Sequence, residues 1–326
     1  MELATFNQFL AAAVKNGASD IHFKVGSAPA LRINGQLLPV KVPALHPEDT
    51  TRIAQHILTQ ARHKGPLDDV REHDASYALE GVGRFRASIF RNKGNLGAIM
   101  RAIPFSVPDF QKLGLPPVLQ KIAQEERGLV LVTGVTGSGK SSTLAAIVSY
   151  INQHYRKHIL TIEDPIEFLH EDKLGRITQR EIGPDTPSFA SALRAALRQD
   201  PDVILVGEMR DAETIEIAIK AAETGHLVLS TVHTTDCVRT IGRILGSFPP
   251  EAQHGVRLRL ADNLKATVSQ RLLPHASGKG RVLAAEIMTS TLSVREFIRD
   301  EARPSESMDY LEPPQERRGR TQRHHD

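Results

Sequence analysis

One eight-residue run, Gly134-Val135-Thr136-Gly137-Ser138-Gly139-Lys140-Ser141, limits what this chain can fold into more than any other feature. It fills every fixed position of the phosphate-binding loop, in which a glycine-rich turn wraps a phosphate with backbone N–H groups. Side chains would block that approach, so glycine stands where the backbone must come close. The context agrees. An apolar run, Leu129 to Thr133, leads in, and an amphipathic stretch, Ser142 to Ile151, leads out. A helix starting there adds the positive end of its dipole. Lys140 is placed to reach the β- and γ-phosphates of a nucleoside triphosphate, and the Ser141 hydroxyl to ligate Mg²⁺. The expected nucleotide-binding set is Gly134, Thr136, Gly137, Ser138, Gly139, Lys140, Ser141 and Ser142.

A loop of this kind needs a parallel sheet behind it, and the flanking sequence supplies one. Leu129–Thr133, Ile159–Glu163, Val203–Gly207, Leu227–Thr231 and Val282–Ile287 are short, nearly continuous apolar runs, several separated by helical stretches. Strands buried on both faces read this way, so residues 119–300 are expected to form an α/β domain with these runs as buried parallel strands. Residues 1–103 read differently. Phe6, Phe9, Leu10, Ala13 and Val14 repeat at helical spacing, and Ile21, Phe23 and Val25 alternate as in a half-buried strand. Asn34-Gly35 predicts a hairpin turn. Ile53, Ile57, Leu58 and Ala61 predict a second helix, and Tyr77–Leu79, Arg84–Phe90 and Leu96–Ile103 predict strands. This is an α+β module. Pro104, Pro108, Pro116 and Pro117 then crowd residues 104–118, which read as a semi-extended linker. Residues 301–326, rich in Pro, Glu and Arg without apolar period, read as a disordered tail.

Composition narrows the function classes. At 326 residues the chain has room for two domains. Its 41 Lys and Arg against 38 Asp and Glu leave +3, too even to point to nucleic acid. The single cysteine, Cys237, excludes an internal disulfide or a multi-cysteine zinc site and fits a reducing compartment. Met1–Ala13 lacks the basic start of a secretory signal, and no run of roughly 18 apolar residues occurs. Direct membrane insertion is therefore not expected, and membrane work must pass through a partner.

Three more segments carry chemistry. Thr161-Ile162-Glu163-Asp164-Pro165-Ile166-Glu167 puts carboxylates where a buried strand ends, the edge at which α/β sheets bind ligands. Glu163 is the candidate to orient or deprotonate water. Asp200 to Asp211 contains Val203–Val206 followed by Gly207-Glu208, an acid placed to hold the Mg²⁺ shell through water. Glu223-Thr224-Gly225-His226 and Ser230-Thr231-Val232-His233-Thr234 place two histidines around a buried strand; as zinc ligands they lack partners nearby in sequence. Beside a phosphate site they could sense the γ-phosphate or touch a neighbouring subunit.

In that order, the Thr133–Ser141, Thr161–Glu167, Gly207–Asp211 and Glu223–His226 plus His233 segments resemble the Walker A, aspartate box, Walker B and histidine box of the secretion ATPase superfamily. Within it, the chain is most similar to the branch of type IV pilus retraction ATPases, and Gly17-Ala18-Ser19-Asp20-Ile21-His22 resembles that branch's N-terminal domain. The resemblance covers residues 1 to about 300. It implies a PAS-like N-terminal domain followed by a RecA-like ATPase domain, assembled as a hexameric ring with ATP at subunit boundaries. It implies Glu163 as catalytic base, Glu208 as the Walker-B acid, and His226 and His233 as the histidine box. It implies that Arg86 and Arg101 reach toward nucleotide and neutralise transition-state charge. The expected partners are other copies of the chain and an inner-membrane platform protein, at the cytoplasmic face of that membrane. Ser293-Val294-Arg295-Glu296-Phe297-Ile298 departs from the branch's Ala-Ile-Arg-Asn-Leu-Ile, and the tail replaces further helices. The alternatives at this point are an accessory or divergent paralogue, a pilus-assembly or type II secretion ATPase, a regulatory nucleotide-binding protein, and a RecA-like nucleic-acid motor. A lone cysteine and a short N-terminal module disfavour the assembly class.

Overall fold

A computed structural model describes residues 1–103, 107–276 and 280–300. The described chain divides into two compact units. One takes in residues 1–103 with Glu167–Leu169; the other takes in Val107–Ile166 and the chain from His170 onward.

The first unit contains α1 (Leu3–Lys15), β1 (Ala18–Phe23), β2 (Ala30–Ile33), β3 (Gln36–Pro39), α2 (Pro47–Gln60), β4 (Glu72–Leu79), β5 (Gly83–Asn92) and β6 (Asn95–Ile103). Its six strands are antiparallel in the order β3-β2-β1-β6-β5-β4. The Asn34-Gly35 turn joins β2 to β3 with both residues at positive φ, 50° and 83°, the geometry that makes this dipeptide a hairpin signal. Phe6 and Leu10 of α1 and Ile53 and Ile57 of α2 pack with Ile21, Phe23, Phe85, Ile89 and Met100 in one core.

The second unit contains α3 (Val118–Ile122), β7 (Gly128–Thr133), α4 (Lys140–His154), β8 (His158–Glu163), β9 (Arg176–Glu181), α5 (Phe189–Ala196), β10 (Val203–Val206), α6 (Ala212–Glu223), β11 (Leu227–Val232), α7 (Cys237–Leu245), α8 (Pro250–Asn263), β12 (Leu264–Pro274), β13 (Arg281–Thr289) and α9 (Leu292–Arg299). The sheet order is β13-β12-β7-β11-β10-β8-β9. All neighbours are parallel except β12 and β13. Two apolar clusters, one holding Leu131, Ile204 and Ile219 and the other Val130, Ile147 and Leu229, cover the sheet. The expected α/β class, an α+β module ahead of a RecA-like sheet, holds.

Two expectations are corrected. Val282–Ile287 lies in β13, an antiparallel and partly exposed edge strand, not a buried parallel one. Only residues 275–280 separate it from β12, too few for a parallel crossover. Two further strands, β9 and β12, complete the sheet without an apolar run to mark them in sequence. Residues 107–117 are also no extended spacer. Phe110 and Leu115 are each 8% exposed and join the core beside α4, because the apolar residues between the prolines have something to bury. Residues 104–106 of the expected linker and the expected disordered tail, 301–326, lie outside the described residues. Among the described residues no helix is long and apolar enough to cross a membrane.

Candidate active site

The parallel strands β7, β11, β10 and β8 all end on one edge of the sheet, and four of the expected site segments follow those ends. The turn after β7 runs directly into α4. Gly134 sits at φ 141°, and a Cβ there would meet the Gln270 carbonyl and Ser138 Oγ, each at 2.5 Å. Gly139, the N-cap of α4, has φ 91°, a left-handed conformation that favours glycine. Lys140 is 8% exposed, and its Nζ donates to the carbonyls of Gly134 at 2.9 Å and Val135 at 3.1 Å. Its charge is thereby held inside the loop's own curve. Thr136 and Gly137 form the exposed tip, and Ser141 and Ser142 are half-buried in the first turn of α4. Ser138 Oγ is buried with no hydrogen-bond partner among the described residues. A buried hydroxyl without a partner in a glycine-rich loop at a helix N-terminus fits a phosphate oxygen. Gln270 of β12 supports the loop from below, its Nε2 donating to Thr143 Oγ1 at 2.8 Å.

The acids converge on the same edge. Glu163 is the last residue of β8, and Glu208 follows the end of β10, the adjacent strand. Gly207 draws the two together: its N–H donates to the Ile162 carbonyl at 2.8 Å, and a Cβ on it would stand 3.4 Å from Glu163 Cα. Thr161 Oγ1 and Gln179 Nε2 donate to Glu163 Oε1 at 2.6 and 3.1 Å. Arg210 Nε lies 2.7 Å from Glu208 Oε1.

Of the two histidines, only His233 comes to this edge, directly after β11. Its Nε2 is 3.6 Å from Glu208 Oε2, longer than a formed hydrogen bond. Burial, then the Lys140 ammonium, hold the imidazole below its ordinary value, while Glu208 pulls it up. His233 therefore couples electrostatically to both Lys140 and Glu208. His226, the other expected histidine, stands elsewhere in this chain. It precedes β11 and so lies at the opposite end of that strand. Its Nδ1 meets the Ala221 carbonyl at 2.9 Å and Thr224 Oγ1 at 3.3 Å, closing the end of α6.

Arg86 and Arg101 belong to the N-terminal unit, where they are cross-strand partners on β5 and β6. Arg101 Nε donates to Asp20 Oδ1 at 2.8 Å, and Arg86 Nη2 lies 3.5 Å from Asp74 Oδ2. Burial works to raise the Asp20 carboxyl, yet the hydrogen bonds from Arg101 and Ser19 hold it below its ordinary value. Both arginine side chains remain more than half exposed within their unit.

Sequence reading missed Gln179, Arg210 and Gln270. Arg210 was within reach, since it stands two residues after the Walker-B acid. Gln179 and Gln270 lie on unread strands, and no local pattern marks them.

Known proteins resemble this chain over most of its length. The family described as "Type II/IV secretion system protein" matches residues 2–306. The type IV pilus retraction ATPase PilT of Pseudomonas aeruginosa is 45% identical over 294 residues, 90% of this chain and 85% of that protein. The type IV pilus ATPase PilU of the same organism is 39% identical over 90% of this chain and 77% of its own. A crystal structure of the pilus retraction motor PilT with bound ADP superposes with a TM-score of 0.87 at 46% identity, covering 94% of this chain and 88% of that one. With a complete phosphate loop and its acids gathered on one sheet edge, the chain belongs to the type II/IV secretion system family and is an ATPase of that family.

Proposed function

We propose that this chain is the motor that retracts type IV pili, working as a homohexamer at the cytoplasmic face of the inner membrane on a platform protein there. The observation that carries the reading is the meeting of the phosphate loop, Glu163, Glu208 and His233 at the carboxyl ends of the parallel strands of one sheet. ATP binds along Gly134–Ser142, with Lys140 on its phosphates. Ser141 and Glu208 would hold Mg²⁺, whose charge offsets that of the phosphates when bound; both offer hard oxygen ligands. Glu163 is the general base that orients the attacking water. Arg210 holds the Glu208 carboxylate. With ATP at subunit boundaries, Arg86 and Arg101 would supply positive charge to nucleotide held by another copy. Residues 1–103 act as the PAS-like domain and 119–300 as the ATPase, joined through 104–118. ATP binding closes an interface and hydrolysis reopens it, and around a ring these steps drive the platform.

The departure of Ser293–Ile298 from the branch's pattern supports a second reading, an accessory or divergent paralogue of the retraction motor. Deleting the gene and counting surface fibres separates the possibilities. A retraction motor leaves excess pili and no fibre shortening. An accessory motor leaves normal pilus numbers with weaker shortening under load. Bald cells would overturn retraction in favour of assembly.

A further inference from the structure

Two donors meet on one oxygen of the proposed base. Thr161 Oγ1 and Gln179 Nε2 both point at Glu163 Oε1. Thr161 and Gln179 are register partners across β8 and β9, and Glu163 pairs with Glu181 two steps on. Strand alternation therefore puts all four side chains on one face of the sheet. The Gln179 amide is not free to turn over. Its Oε1 accepts the backbone N–H of His170 at 2.9 Å, and a backbone N–H can only donate. Nε2 must face the other way, toward Glu163. Glu181, 3% exposed, accepts the backbone N–H of Ile166 through Oε2 at 3.0 Å. So β9 grips both ends of the stretch from Ile166 to His170, and one of the two gripping residues also touches the base.

We propose that Gln179 is a positioning residue for ATP hydrolysis, orienting the Glu163 carboxylate with an amide whose direction is set by the His170 N–H. This rests on the reading of Glu163 as the base. The terminal torsion of a glutamate is broad, so a bare carboxylate swings. A general base must stand within hydrogen-bond reach of the water it activates. Two donors on a single oxygen stop the rotation before substrate arrives. Losing one of them misplaces the base, which costs rate and leaves ATP binding intact.

Two substitutions separate this role from mere support of the backbone. Gln179→Glu keeps an acceptor for the His170 N–H and removes the donor to Glu163. Gln179→Met removes both. The measurement is kcat and KM for ATP turnover by the full chain, with the affinity for a fluorescent ATP analogue. Both variants are expected to lose about tenfold or more in kcat, with KM and affinity changed less than about twofold. Wild-type kcat in Gln179→Glu beside a slow Gln179→Met would mean that Gln179 only holds the backbone, and would overturn the proposal. So would a raised KM with kcat kept. If Gln179→Met does not fold, Thr161→Val takes its place: it removes the other donor at nearly equal volume and is expected to lower kcat without raising KM. Wild-type kcat in both Gln179→Glu and Thr161→Val overturns the inference. Failure of the underlying reading looks different. Glu163→Gln turning over at the wild-type rate removes the base itself. A dead Glu163→Gln beside a fully active Gln179→Glu removes only the role of Gln179.

Discussion

Burial pushes the His170 imidazole down to about 4 from its ordinary 6.5. The sign of its effect on stability follows. Below 6.5 the unfolded chain takes up a proton that the folded chain refuses, so folding weakens as pH falls. The loss builds until pH reaches about 4, where the folded chain also protonates. Its full size is on the order of 3 kcal/mol. Denaturation midpoints measured from pH 7 to 4 should fall more steeply for the wild type than for His170→Met. Parallel curves would show that His170 does not titrate this way. Cys237 shows the same physics in the other direction. Burial first, with Glu286 adding to it, pushes its thiol up to about 12, and Sγ donates to the Thr267 carbonyl at 3.2 Å. The lone cysteine is a packing residue under α7. At this scale the sequence was informative where chemistry demands a fixed spacing, as in Gly134–Ser141 and at Glu163 and Glu208. It was silent on residues whose role depends on a partner strand, such as Gln179 beside Glu163 or Asp20 beside Arg101. His226 and His233, seven residues apart, stand at opposite ends of a single strand, a separation that only the strand's direction reveals.

Strands were legible where burial came with an unbroken apolar run, which β12 lacks because its buried residues include Thr267, Ser269 and Gln270. Strands β7, β8, β10 and β11 are covered on both faces, so their sequences are nearly pure apolar runs. Strand β9, Arg-Ile-Thr-Gln-Arg-Glu, lies at the sheet edge and mixes polar with apolar residues, which hides it. The helices are punctuated by side-chain caps at Ser188, Asp211, Asp236 and Thr291. Asp211 is the most informative of these, because it closes the Gly207–Asp211 motif. Its Oδ1 accepts the Thr214 N–H at 2.8 Å and its Oδ2 the Thr214 hydroxyl at 2.9 Å. Its part is therefore to start α6 directly after the Walker-B turn. Asp211→Ala should cost about 1 kcal/mol in urea denaturation, whereas Asp211→Asn or Ser, which cap equally well, should recover most of it. An unchanged midpoint in Asp211→Ala would contradict the cap.

For the whole molecule, the division of labour was visible because the two units bury their strands differently. The N-terminal unit builds an antiparallel sheet with helices α1 and α2 packed into its core and alternates apolar with polar residues. The ATPase unit buries its parallel strands on both faces and brings their ends to one edge. Edge strand β9 and the packed segment around Phe110 were not visible, since both depend on contacts that no local pattern marks. The central claim is that this edge hydrolyses ATP with Glu163 as base. Steady-state ATP turnover by purified Glu163→Gln, with ATP-analogue affinity measured alongside, tests it most directly. The account predicts a turnover loss of about a hundredfold or more with nucleotide still bound at wild-type affinity. Turnover at the wild-type rate would contradict it.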